Sequence, residues 1–170
     1  MYIISMTSNI FIAQILDVFH SFLGVFPSDE YPKLPRIKHG VLGAVFNTKS
    51  SKEHVCGHWV LISYFIYDYK LIFCEIFDSL SLNENILPTN IIEYISSLKT
   101  HVKYSKIRVQ SLESEFCGIF CIARFLSIYL NECLNVFLAK FDTRELMVND
   151  RKVVVIIRKY LKIINEENRR

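Results

Sequence analysis

At 170 residues and 19.9 kDa, the chain is long enough for one domain with a real core and short for two. Half of it is apolar, with 13 Phe and 9 Tyr against 5 Gly and 4 Pro, which excludes a disordered or fibrous polypeptide. The net charge of +3 is mild and uneven: Phe141 to Arg170 holds eight basic and five acidic residues, which accounts for the whole excess.

A mean hydropathy of +0.25 requires a check for membrane spans. Met1 to Leu16 is uncharged, but Thr7, Ser8, Asn9 and Gln14 interrupt it and no basic residue precedes it. Trp59 to Tyr67 is apolar but ends at Asp68, which suits a buried strand. No membrane partner is expected. The five cysteines (Cys56, Cys74, Cys117, Cys121 and Cys133) are odd in number and lack disulfide-like spacing. A reducing compartment is the expectation, and not secretion.

In chain order, Ser8 can cap a helix running to about Phe19. A proline-bearing loop through Pro27, Pro32 and Pro35 follows. Val41–Asn47, His58–Tyr67 and Tyr69–Phe77 read as strands, the last two separated by little more than Asp68 and so suggesting a hairpin. Leu87–Leu98 is periodic as a helix with Pro88 in its first turn, and Ser105–Gln110 reads as a fourth strand. Gly118–Leu134 is a long apolar helix whose only basic residue is Arg124, and Arg144–Ile164 is an amphipathic one. No linker divides residues 1–170. The expectation is a single α+β domain, a small mixed sheet flanked by helices, with a buried helix opening at Cys117.

Cys117 sits where a polar loop enters that helix. Unpaired backbone N–H groups and the helix dipole favour a thiolate there, and the thiolate is the nucleophile. A buried structural cysteine is the competing reading. A nucleophilic thiol needs a base, a group to orient the base, and oxyanion donors. His58 opens a strand, follows Gly57 and precedes Trp59, so a rigid backbone can aim its ring into a cleft. It could also be a solvated strand end. Asp78 ends the next strand, and hairpin pairing would bring it beside His58. Glu75, inside that strand, competes for the same role, while Asp78 could equally be a turn residue. The Gln110 amide and the Cys117 N–H could form an oxyanion hole. Cys121, one helical turn on, is the second candidate nucleophile. A zinc site from Cys56, His58, Cys117 and Cys121 has suitable residue types but no common structural zinc spacing.

The order His58, Asp78, Gln110, Cys117 resembles that of the adenovirus protease (adenain) family, which belongs with the SUMO/ubiquitin-like deconjugating proteases in a larger group. That order is a permutation of the papain one. Val109-Gln110 through Cys117-Gly118-Ile119-Phe120-Cys121 resembles the family's V-Q-G…C-G-L-F-C block, with the same seven-residue step from glutamine to cysteine. Phe46-Asn47-Thr48…Gly57-His58-Trp59 resembles its V-N-T…H-W block, Phe77-Asp78 its acid-bearing segment, and Phe22-Leu23-Gly24 a feature near its start. The likeness spans most of residues 8–135.

What the resemblance implies is a thiol endopeptidase with Cys117 as nucleophile, His58 as base and then acid, Asp78 as its orienting partner and Gln110 as oxyanion donor. Gly57, Trp59 and Gly118 would support substrate binding. Expected substrates are structural precursors cut after small residues such as Gly during particle maturation, in the virion and the host nucleus or cytoplasm, by a monomer. The alternatives are a deconjugase of a ubiquitin-like modifier and an inactive DNA- or capsid-binding relative. The implied chemistry requires no cofactor and no metal; the family's activators are DNA and a viral peptide. No cysteine lies between Cys74 and Cys117, so the family's disulfide-linked peptide activation is not expected. For DNA, Arg151, Arg158 and Lys162 share one face of the last helix, which otherwise reads as a solvated basic side.

Overall fold

The run Trp59–Tyr67 is apolar at nearly every position, a pattern satisfied only by a strand covered on both faces. The computed structural model, which describes residues 8–53, 57–82 and 87–169, places it there. The elements are α1 (Asn9–Leu16), β1 (Phe22–Phe26), β2 (His39–Asn47), β3 (Trp59–Tyr67), β4 (Lys70–Phe77), α2 (Thr89–Ser97), β5 (His101–Tyr104), α3 (Cys117–Tyr129), α4 (Leu134–Leu138) and α5 (Asn149–Glu167). The strands form one mixed sheet in the order β1-β2-β3-β4-β5, antiparallel in the middle and parallel at both edges.

Alternation along the strands makes two cores. Val45, Trp59, Leu61 and Phe77 face α1, α3, α4 and α5, whereas Phe46, Val60, Ile62, Tyr64 and Ile76 face α2. This is an α+β domain with helices on both faces of a five-stranded sheet. Helix α3 is buried from Cys117 through Ser127, as expected of a helix that is apolar nearly all round. It lies so close to the sheet that a Cβ on Gly43 would come within 2.6 Å of the Phe125 ring.

The hairpin expected around Asp68 is present. Asp68 and Tyr69 form its two-residue turn, both with positive φ (49° and 60°), the type I′ geometry that matches strand twist. Ser8 caps α1 through a 3.2 Å bond from the Phe11 N–H, but the helix stops at Leu16, not Phe19. Pro88 takes the cap position of α2 instead of its first turn.

Three expectations need larger correction. The fourth strand is not Ser105–Gln110 but the preceding His101–Tyr104. The Ser105 N–H makes the last bond to β4, at Ile76 O (2.9 Å), after which the Val109 and Gln110 N–H groups turn to the Ser79 carbonyl. The long helix expected over Gly118–Leu134 ends at Tyr129, and a separate helix, α4, begins only at Leu134. Asn131 adopts φ +59°, its N–H reaching Ile128 O and that of Glu132 reaching Ser127 O, which is a Schellman stop. Finally, α5 starts at Asn149 after a 3₁₀ turn at Leu146–Val148, later than Arg144. Strand β1 was not expected at all: its pairing shifts register between Phe22 and Gly24, which obscures the period-2 signal.

Candidate active site

The antiparallel register pairs Leu61 with Phe77, so the start of β3 and the end of β4 lie at one edge of the sheet. His58 and Asp78, just outside those strands, meet there: His58 Nε2 is 2.6 Å from Asp78 Oδ1, with side chains 13% and 6% exposed. The other arms of the carboxylate are held as well, Oδ1 by the Leu80 N–H (2.9 Å) and Oδ2 by the Leu82 N–H (2.8 Å). Ser105 Oγ accepts the Asp78 N–H and donates to the Asp78 carbonyl. A carboxylate gripped this way has little freedom to leave the ring.

The His58 backbone is fixed by the Asn47-Thr48 segment. Thr48 Oγ1 accepts the His58 N–H (2.8 Å) and the Thr48 N–H reaches the His58 carbonyl (2.8 Å). Gly57 is required by the same packing, since a Cβ there would lie 2.1 Å from Asn47 Oδ1 and 2.6 Å from Lys49 Cγ. A side chain at Gly57 would therefore push against the segment that fixes His58.

Helix α3 brings Cys117 to His58, whose ring it meets as a second hydrogen-bond partner. With Nε2 on Asp78, the remaining nitrogen for the thiol is Nδ1. Burial pushes the imidazole pKa down, but the hydrogen bonds to Asp78 and Cys117 and their charges outweigh it, raising the pKa to about 9. Near neutral pH the ring is an imidazolium, and it faces a thiol at the start of α3. Cys121 differs. Its thiol is fully buried, donates to the Trp59 carbonyl (3.5 Å), and is pushed well up by desolvation. It is a packing residue. Trp59 is buried in the same core, and Gly118 is buried in the first turn of α3.

Gln110 is 1% exposed and held on every side. Its backbone N–H and that of Val109 share the Ser79 carbonyl, and Ser79 Oγ donates to its Oε1. Its Nε2 donates to the Ser114 carbonyl at 2.6 Å and contacts Ser114 Oγ at 3.3 Å. The carbonyl can only accept, which fixes the amide orientation. One amide proton is firmly held and the other weakly.

Glu75 is no rival to Asp78. Its Oε1 takes Arg124 Nε (2.8 Å) and Nη2 (2.7 Å), both residues being almost fully buried. Among the described residues no group of three or more His, Cys, Asp or Glu is arranged to hold a metal; Cys56, part of the alternative zinc set, lies outside them. No helix among them is long and apolar enough to cross a membrane. Arg151, Arg158 and Lys162 all lie exposed on α5, with Lys162 3.8 Å from Glu166. Beside them a groove of about 520 Å³ is lined by Lys140, Arg151, Lys152, Val155, Ile156, Lys159 and Tyr160.

Sequence reasoning missed Ser79, Ser105, Ser114, Asn149 and Asp150. Each acts through a contact with residues distant in the chain, and serines and an acid near turns carry no periodic signal. In comparisons with known proteins, no family model matches the chain and no curated protein matches it significantly.

Proposed function

We propose that this chain is a cysteine endopeptidase of the adenain type, with a permuted papain-like site. The observation that carries the reading is the His58 imidazole held between the Asp78 carboxylate at 2.6 Å and the Cys117 thiol at the start of a buried helix. The Cys117 thiolate attacks the scissile carbonyl carbon, forming the C–S bond. The tetrahedral oxyanion takes the Cys117 backbone N–H, a first-turn donor with no acceptor inside the helix, and the weakly held Gln110 amide proton. The His58 imidazolium gives its proton to the leaving amine as the C–N bond breaks. Water, deprotonated by His58, then attacks the thioester carbon; the C–S bond breaks, the carboxylic product leaves, and the thiolate beside the imidazolium is restored.

The resemblance of the Gln110–Cys121 and Asn47–Trp59 blocks to adenain supports the substrate class: structural precursors of a virus or virus-derived element, cut after small residues such as Gly. It also supports a monomer acting in the virion, nucleus or cytoplasm, and DNA as the partner of Arg151, Arg158 and Lys162. A deconjugase of a ubiquitin-like modifier would use the same triad, and an inactive capsid- or DNA-binding relative would use none of it.

The test is hydrolysis of a fluorogenic peptide with Gly at the acyl position, run beside a modifier fusion. Cleavage of the peptide, lost by on the order of 10³-fold or more in Cys117→Ala with the fold retained, is the expected result. Cleavage of the modifier alone selects the deconjugase. Cleavage surviving in Cys117→Ala but lost in Cys121→Ala refutes the nucleophile.

A further inference from the structure

Ser114 lies four residues after Gln110 and three before Cys117, in the middle of the loop that carries both oxyanion donors. A hydroxyl offers one proton and two lone pairs. The Ser114 proton goes to Asp150 Oδ1, at 2.8 Å. That leaves the lone pairs facing the Phe116 N–H (3.2 Å) and Gln110 Nε2 (3.3 Å). Asp150 thus decides which way the hydroxyl points. Without it the Ser114 proton could rotate toward either donor and the loop would lose its central acceptor.

Asp150 comes from the first turn of α5, 36 residues away. An acid in a first turn is favoured by the helix dipole, but that alone does not aim its carboxylate at another loop. Its neighbour Asn149 is fully buried and grips the same segment one residue before Gln110, donating from Nδ2 to the Val109 carbonyl (2.8 Å) and to the Asp142 carbonyl (2.7 Å). Asn149 Oδ1 takes the Asp142 N–H in return. Two successive residues of α5 therefore hold the loop at both Val109 and Ser114.

We infer that Asp150 is a positioning residue for the reaction, acting through Ser114 to hold the Gln110 amide and the Phe116 N–H in the loop where an oxyanion forms. This rests on the reading of Gln110 and Cys117 as oxyanion donors. Helix α5, whose outer face carries the basic residues, is by this route mechanically tied to the site.

The experiment measures kcat and KM on the fluorogenic Gly peptide, together with the rate of Cys117 alkylation by iodoacetamide. Asp150→Ala lowers kcat about 10-fold, a fraction of the loss for removing an oxyanion donor outright. KM stays within about two-fold and Cys117 alkylation is unchanged, because the thiol and His58 are untouched. Asp150→Asn restores most of kcat, since an amide oxygen also accepts from Ser114. Ser114→Ala reproduces the loss, and the double variant adds little to it, because both break one chain of bonds. Unchanged kcat in folded Asp150→Ala, or full additivity with Ser114→Ala, overturns the relay while leaving the protease reading intact. Should Asp150→Ala fail to fold, kcat in Asp150→Asn and Ser114→Ala decides. A wild-type chain that cleaves no peptide and no modifier overturns both readings.

Discussion

Two buried acid–base pairs sit three residues apart on the same stretch of chain, and they do opposite things. Glu75 lies inside β4, facing α3, and its carboxylate is closed off by Arg124, which also bonds Ser127 Oγ and the Glu132 carbonyl and lies over the Phe137 ring. Each nitrogen of the Arg124 guanidinium ends on protein. Asp78 lies one residue past β4, and its partner His58 still has a ring nitrogen turned to a thiol. The first pair fixes how α3 sits on the sheet; the second keeps a proton that can move. An arginine cannot release its proton at physiological pH and a histidine can, so residue type separates scaffold from chemistry.

The sharpest way to break the comparison is Asp78→Asn. Its amide is a poor acceptor for an imidazolium, so turnover should fall by on the order of 10²–10⁴-fold while the midpoint of urea unfolding moves little. A loss of stability without a loss of rate would show that Asp78 belongs with Glu75. Arg124→Ala should do the reverse. It leaves a carboxylate buried and unpaired, at about 3–5 kcal/mol of stability, with turnover per folded molecule retained. Replacing Arg124 and Glu75 together by Met and Leu should recover most of that loss.

Dependence on pH separates the pairs next. The His58 pKa is raised in the folded chain, from about 6.5 to about 9, so the folded state holds the ring proton more tightly. Its stabilisation is full below pH 6.5 and fades as pH rises through 9, by about 3 kcal/mol at most. The basic limb of the rate profile should fall near the same value and shift downward in Asp78→Asn. Thermal unfolding and rates between pH 6 and 10 measure both. The smallest effect is expected for Gly57→Ala, at about 1–3 kcal/mol, because Asn47 and Lys49 must move to admit the methyl group. Thr48, between those two residues, holds the His58 backbone, so turnover should suffer more than stability; the opposite ranking would make Gly57 a packing glycine only.

Much of this was legible in the chain. The nearly continuous apolar run of β3, the turn at Asp68 and the apolar helix after Cys117 depend on neighbours a few residues away, and their pattern is local. So is the difference between Cys117 and Cys121: one opens the helix and the other lies a turn inside. Where the reading slipped, a distant partner had overridden local preference. Ser105–Gln110 has a strand-like residue pattern, but the β4–β5 pairing ends at Ile76 and Tyr104, and the Ser79 carbonyl takes the Val109 and Gln110 N–H groups. The apolar pattern runs past Tyr129, but the αL residue Asn131 stops the helix.

By itself, then, the sequence placed a thiol at a helix start, a histidine at a strand start and an acid at a strand end. Which acid serves which base was decided only by the tertiary structure. Alternation directs Glu75 toward α3 but stops directing side chains at Phe77, and Asp78 is free to turn to His58 only because the strand has ended. The step from Gln110 to Cys117 was visible as a spacing. That Ser79, Ser114, Asn149 and Asp150 hold it in shape follows from bonds spanning up to 40 residues, which depend on register and packing and leave no periodic trace in the chain.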